Sequence, residues 1–153
     1  MTVSSSFEGL EERILYSSKS SAEVAQLLNF SPSRTFSLRS WVGNMRRLHK
    51  LWGVWSAEDR VFVYPAFQFN QRGTLPRLQE MLRPLDDWVG RGPYALSDED
   101  GWQRTIWLYR PNDYFASMQN DKNVTEPPTP AQMFANDPEL VIRLVEGIAV
   151  TVW

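Results

Sequence analysis

Five basic side chains lie in one stretch of the chain, from Ser31 to Lys50, that holds no aspartate or glutamate. They are Arg34, Arg39, Arg46, Arg47 and Lys50. Such a segment could contact DNA phosphates, because a local positive potential releases counterions from the duplex. The whole chain has a net charge of −2, so the rest of it carries −7. Charge alone leaves two interpretations open, a phosphate-binding face and a solvated helix face.

The residues that usually carry catalysis are sparse. The chain has no cysteine and a single histidine, His49, which excludes the usual zinc sites and any Cys–His pair. Asp86-Asp87 and Asp98-Glu99-Asp100 are assigned to helix ends and solvated faces. Neither GxxxxGK[ST] nor GxGxxG occurs. We therefore expect no enzyme, no cofactor and no bound metal, although a carboxylate enzyme would become an alternative if two acids shared a pocket.

Composition suggests a protein that folds in a reducing compartment. Apolar residues make up 42% of the 153 residues, which is enough for a core. The absence of cysteine fits the cytosol, and the N-terminus lacks the pattern of a signal peptide. No apolar run approaches the roughly 18 residues of a membrane span. We expect a cytoplasmic protein without a membrane partner.

Three helices are predicted at the N-terminus. The first runs from about Phe7 to Ser17, and a capping box of Ser20 with Glu23 opens the second. Ser31-Pro32 would start the third, leaving about four residues between helices two and three, as in a helix-turn-helix. Candidate contacts to base edges in this recognition helix are Ser33, Arg34, Thr35, Ser37 and Arg39. Candidate phosphate contacts are Arg46, Arg47 and Lys50.

Two β-prone runs follow, from His49 to Trp55 and from Arg60 to Tyr64, and they predict a hairpin wing. The remaining chain has helical patterns. The expected elements are an amphipathic helix over Leu75–Leu85, a helix from Ser97 to Pro111, a polar loop from Asn112 to Pro130, short and long helices begun by Thr129-Pro130 and Asp137-Pro138, and a β-prone tail over Ala149–Trp153. The predicted fold is mainly α, with a helix-turn-helix domain over 1–70 and a helical partner-binding domain over 71–153.

The segment from Tyr64 to Phe69, YPAFQF, resembles the strand that follows the helix-turn-helix in the Xre/MbcA/ParS antitoxin family. Other elements agree with that family in their order along the chain. They are Glu23–Leu28, the Leu75–Leu85 helix, a WL-x-x-PN element at Trp107–Asn112, a TP element at Thr129–Phe134 and a closing helix rich in Val and Leu. The resemblance covers roughly residues 20 to 148.

The resemblance implies an antitoxin with two surfaces. Its N-terminal part would bind promoter DNA and repress its own operon, usually as a homo-oligomer such as a dimer. Its C-terminal part would cover a toxin of the RES class, which consumes NAD or modifies proteins with ADP-ribose. Candidate toxin contacts are Asn112, Tyr114, Asn120, Lys122 and Trp153.

One segment departs from the family pattern. The link between the PN and TP elements is long, polar and free of glycine, whereas the family has a short glycine-rich link. Two alternatives therefore stay beside the antitoxin hypothesis. They are a stand-alone DNA-binding regulator, as on a mobile element, and a protein-binding inhibitor that does not bind DNA.

Overall fold

The computed structural model describes residues 3–31, 37–89, 98–118 and 126–151. Its helices are α1 (Val3–Ser17), α2 (Ser21–Leu27), α3 (Leu38–Arg47), α4 (Leu78–Asp86), α5 (Trp102–Leu108), α6 (Pro130–Asn136) and α7 (Pro138–Thr151). Its strands are β1 (Val54–Ser56), β2 (Val61–Val63), β3 (Phe69–Asn70) and β4 (Gly73–Thr74). The prediction of a mainly helical fold with a small hairpin is confirmed. None of the described helices is long and apolar enough to cross a membrane.

The first two helices follow the sequence signals closely. Helix α1 ends at Ser17 as predicted but begins at Val3, earlier than Phe7. Helix α2 has the predicted capping box, in which the N–H of Glu23 donates to the Ser20 hydroxyl and the Glu23 carboxylate accepts from the N–H of Ser20. These two hydrogen bonds lower the pKa of Glu23, and the one donated by the Ser20 N–H has the larger effect. Two orphan backbone donors of the helix start are thereby satisfied.

The predicted start of the third helix is wrong. Helix α3 begins at Leu38, after Ser37, whose extended backbone and hydroxyl cap the helix by accepting the N–H of Ser40. Helix α2 ends at Leu27 and α3 begins at Leu38, and residues 32–36 between them lie outside the described residues. Asn29 has a left-handed φ of 57°, and the ring of Phe30 stacks on Trp41 at 4.5 Å between centroids. The chain leaves α2 through that turn and is held to α3 by the ring contact.

The predicted wing is present and shorter than expected. Strands β1 and β2 are antiparallel with Trp55 opposite Phe62, while the stretch from His49 to Gly53 stays outside the sheet. His49 has a left-handed φ of 60°, which is incompatible with a regular strand. A second hairpin, β3–β4, spans the position where the domain boundary is predicted.

The C-terminal helices enclose the larger of two hydrophobic clusters found among the described residues. Helix α4 packs on α7, and α6 packs on α7 from another side. The predicted cap of α6 is confirmed, since the Thr129 hydroxyl accepts the N–H of Gln132. The β-prone interpretation of the tail is wrong over its first residues, because α7 continues to Thr151.

The start of α5 also differs from the prediction. The helix begins at Trp102 after Gly101, which has a left-handed φ of 83°, and Ser97 lies outside the described residues. The acidic turn does serve the helix start, since Asp98 accepts the N–H groups of Gln103 and Arg104. The assignment of Asp98 to a solvated face is wrong, however, because the residue is only 2% exposed.

A polar junction joins the two clusters. The side chain of Gln68 is fully buried; its Oε1 accepts the N–H of Trp52 at 2.7 Å, and its Nε2 donates to the carbonyls of Trp52 and Pro65. The indole N–H of Trp52 in turn donates to the hydroxyl of Thr105 on α5, at 2.8 Å. Because each buried group has a partner, the junction stabilises one relative placement of the two parts.

Candidate nucleic-acid interface

Helix α3 has one apolar and one basic side. Its apolar side packs into the smaller cluster through Leu38, Trp41, Val42 and Met45. Its opposite side carries Arg39, Ser40, Gly43, Arg46 and Arg47, which recur at helical spacing. This basic side holds three of the arginines that the sequence proposed, separated by residues with small side chains.

The basic side of α3 forms one wall of an open cleft of about 620 Å³, and the β1–β2 hairpin forms another. We call it the arginine cleft. The residues that line it are Ser20, Ser21, Ala22, Leu38, Arg39, Ser40, Gly43, Arg46, Arg47, Trp55, Arg60, Val61, Phe62 and Tyr64. Among these described residues are four arginines and no aspartate or glutamate. The cleft therefore has a positive potential that no carboxylate in its lining offsets.

Arg46 is the most firmly held of the four arginines. Its guanidinium carbon lies 3.8 Å from the centre of the Phe62 ring, a cation–π contact. Its stem passes Gly53, where a Cβ atom would come within 2.7 Å of the Arg46 Cδ. Its Nε is buried and has no hydrogen-bond partner among the described residues. The hairpin thus fixes the orientation of this side chain.

Tyr64 is a buried residue in the lining of the arginine cleft. The residue is 2% exposed, and burial raises the pKa of its hydroxyl, although the positive charge of Arg46 acts in the opposite direction. Its backbone also bridges to Lys19 through two hydrogen bonds of 2.8 Å. Tyr64 is therefore a buried part of the cleft, and Gly53 lies close to both its ring and the stem of Arg46.

Arg39, Arg47 and Arg60 are exposed around the cleft. Arg60 was not among the predicted contacts. It follows the hairpin turn with a left-handed φ of 54°, and pairing of β1 with β2 brings it opposite α3. The sequence placed Arg60 at the start of a strand, and only the predicted wing beside α3 hinted at this position.

The other predicted DNA contacts are distributed differently. Ser33, Arg34 and Thr35 lie outside the described residues. The hydroxyl of Ser37 is used as the cap of α3. Lys50 is exposed but lines a separate cleft with residues of α4 and its preceding turn, on another side of α3. The structure therefore brings Arg39, Arg46 and Arg47 together and leaves Lys50 apart.

Two of the predicted toxin contacts are described, Asn112 and Tyr114. The Asn112 N–H donates to the carbonyl of Pro128, which joins the two ends of the polar loop. Tyr114 is 50% exposed and has its ring edge-on to the buried ring of Phe115. Asn120, Lys122 and Trp153 lie outside the described residues.

A second polar cluster lies where α3, α4 and α5 meet. The Arg104 Nε donates to the Asp98 carboxylate at 2.8 Å, and one of its terminal nitrogens donates to Asp86 at 2.9 Å. His49 Nδ1 lies 2.6 Å from the other Asp86 oxygen. The Arg104 guanidinium also covers the Trp52 ring, with 4.7 Å to the ring centroid. Arg104 pairs with both acids, so the cluster has the geometry of an ion-pair network. In the described parts of the chain, no three His, Asp or Glu side chains converge as metal ligands would.

Comparison with known proteins yields a likeness of fold. No protein-family model matches the chain, and no curated protein matches it. The NMR structure of Rv2175c superposes with a TM-score of 0.55 over 86% of this chain and 80% of that chain. The two sequences are 19% identical. The chain thus has a fold similar to that of Rv2175c.

Proposed function

We propose that the chain is a DNA-binding antitoxin that represses its own operon from the cytoplasm. The observation that carries the DNA-binding part is the arginine cleft, with four arginines and no acid in its lining. Half or more of the hydrogen bonds in protein–DNA complexes go to phosphate and sugar, and arginine is well suited to bind phosphate in a bidentate manner.

The arrangement of the elements supports this proposal. Helix α3 presents its basic side outward, and a major groove about 12 Å wide admits one α-helix. The small side chains of Ser40 and Gly43 leave room for close approach between Arg39 and Arg47. The hairpin beside α3 adds Arg60 to the same surface. Arg46 has its orientation fixed by Phe62, so less side-chain entropy is lost when it binds.

The partner-binding part of the proposal has different support. It depends on the antitoxin-like order of the YPAFQF, WL-x-x-PN and TP elements. The exposed Tyr114 lies just after the PN element, where a partner could cover it. The proposed partner is a toxin of the RES class, and the proposed assembly is a homo-oligomer such as a dimer.

Binding of promoter DNA at several salt concentrations tests the DNA-binding part. Arg47→Ala removes an exposed phosphate contact, so affinity should fall for operator and random duplexes alike, and the salt slope should decrease by about 1. Arg83→Ala is the matched control, because Arg83 is an exposed arginine of α4 that is absent from the lining of the arginine cleft. Equal salt slopes for the wild type and Arg47→Ala would remove the arginine cleft from the DNA interface.

Co-expression with the product of the adjacent gene tests the antitoxin part. We expect a stable complex without NAD consumption, and NAD consumption by the partner once it is separated under denaturing conditions and refolded. A partner that shows no activity on NAD or on protein ADP-ribosylation would overturn the assignment to RES toxins and leave DNA binding untouched.

A second candidate is a protein-binding inhibitor that does not bind DNA. Acidic residues favour it, since Glu58 and Asp59 are exposed in the hairpin turn next to Arg60 and the chain has a net charge of −2. These carboxylates would repel phosphates near the wing. Formation of the partner complex without any measurable affinity for DNA would decide for this candidate.

A further inference from the structure

The arginine cleft has the size of a small-molecule site. Its volume of about 620 Å³ lies within the range of small-molecule sites, which is about 300–1,000 Å³. Its walls are a helix and a two-stranded hairpin, and the buried residue Tyr64 is part of its lining. Three of its arginines, Arg39, Arg47 and Arg60, are exposed at the rim of the cleft, where a DNA backbone would reach them first.

The charges in the cleft are spread along α3. Arg39 and Arg47 are eight residues apart, so a rise of 1.5 Å per residue separates their backbones by about 12 Å. Arg46 lies further in, held on Phe62, and Arg60 lies on the opposite wall. One isolated phosphate group would reach only part of this set, whereas a linear ligand with several phosphates would reach more of it.

The cleft is also built to keep its arginines in place. A Cβ at residue 53 would collide with the stem of Arg46, and a Cβ at residue 43 would come within 3.3 Å of a terminal nitrogen of Arg47. The same Cβ at residue 53 would come within 3.2 Å of the Tyr64 ring, so Gly53 lets the buried tyrosine and Arg46 lie close together. Preformed donors in a concave site bind an anion at a smaller entropic cost than mobile surface side chains do.

We propose that the arginine cleft binds a small linear polyphosphate, free or as the phosphate chain of a nucleotide, and that this ligand competes with DNA. The competition rests on the proposed function, whereas the binding of the small ligand does not. The four guanidinium groups would bind the phosphate oxygens, and occupied rim arginines would no longer be free for a DNA backbone.

Calorimetric titration of the full chain with inorganic tripolyphosphate at low salt tests the site. We expect one site per chain and binding at least tenfold weaker for Arg60→Ala, which corresponds to the loss of one charged contact. Orthophosphate should bind more weakly than tripolyphosphate. A titration with ATP distinguishes a free polyphosphate from a nucleotide as the ligand. Equal affinities for ATP and tripolyphosphate would show that the phosphate chain alone is recognised.

Ser40 offers a matched pair of variants inside the cleft. Ser40→Glu places a carboxylate in the first turn of α3, a position that suits an acid, and Ser40→Gln has nearly the same size without the charge. Tripolyphosphate binding should be lost in Ser40→Glu and retained in Ser40→Gln. Circular dichroism of both variants shows whether α3 is intact.

The outcomes separate this inference from the DNA-binding proposal. Absence of tripolyphosphate binding, with DNA binding still weakened by Arg47→Ala, would overturn the inference and leave the proposed function standing. Tripolyphosphate binding that is equal in the wild type, Arg60→Ala and Ser40→Glu would place the ligand elsewhere and overturn it too. Binding of tripolyphosphate without any binding of DNA would support the site and overturn the proposed DNA-binding function.

Discussion

The two hydrophobic clusters differ greatly in size. The cluster of α2, α3 and the β1–β2 hairpin has five buried residues among those described, whereas the cluster of the C-terminal helices has thirteen. The smaller cluster carries the arginine cleft on its outer side. Small cores contribute little stability by themselves. The comparison indicates that the basic surface depends on the C-terminal helices for its support.

That support passes through the polar junction and the Arg104 network. Gln79 of α4 donates to the carbonyl of Leu48, the C-cap of α3, and Asp86 of α4 contacts His49 immediately after it. Both contacts hold the end of α3 that carries Arg46 and Arg47. The two regions should therefore unfold together as long as the junction is intact.

The largest expected effect is that of Arg104→Met. It leaves the buried carboxylate of Asp98 without its ion-pair partner and with backbone N–H donors alone, so the free energy of unfolding should fall by about 3–5 kcal/mol. Denaturant unfolding followed by amide exchange should show the smaller cluster losing its protection before the larger one. The double variant Arg104→Met with Asp98→Asn should recover part of the loss, since no charge is left buried. A single variant as stable as the wild type would show that the network contributes no support.

A pair of core variants then measures the difference between the clusters. Leu85→Ala in the larger cluster should cost about 2–5 kcal/mol, and Val42→Ala in the smaller one about 1.6 kcal/mol, for two methyl groups at 0.8 each. If the clusters unfold as one unit, each variant should lower the protection of slow-exchanging amides in both. Loss confined to the cluster that carries the substitution would mean that the clusters are independent.

The sequence predicted some helix starts correctly and the start of α3 wrongly. Local signals such as the Ser20–Glu23 capping box and the Thr129-Pro130 pair gave correct helix starts, because capping depends on hydrogen bonds within four residues. The start of α3 was wrong, because two serines, Ser31 and Ser37, have the same capping chemistry. The contact of Phe30 with Trp41, which no local pattern contains, accompanies the later start.

The candidate site was predicted in part. The sequence named Arg39 as a groove contact and Arg46, Arg47 and Lys50 as phosphate contacts. It could not separate Lys50 from the others, because Lys50 follows the left-handed turn at His49. Arg60 was missed because its position depends on tertiary packing of the hairpin. The YPAFQF motif shows a structural role that its sequence alone does not reveal, since Gln68 holds Trp52 and Pro65 at the junction.

The smallest expected effect concerns Tyr109, which ties α5 to the turn that contains Phe67. Its hydroxyl accepts the N–H of Phe67 at 3.1 Å, and burial raises its pKa from 10.0 to about 12. The unfolded chain thus loses this proton at a lower pH than the folded chain does. The contribution of this raised pKa to the free energy of unfolding is complete below pH 10 and is lost as the pH rises towards 12.

The variant Tyr109→Phe tests this contribution. It should lower the free energy of unfolding by about 1 kcal/mol at pH 7, and that free energy should decline less steeply between pH 10 and 12 than in the wild type. Tyr64 also has a raised pKa, but it is present in both proteins and cancels in the difference. If the unfolding free energies of the wild type and Tyr109→Phe declined in parallel between pH 10 and 12, the pKa of Tyr109 would not be raised in the folded protein.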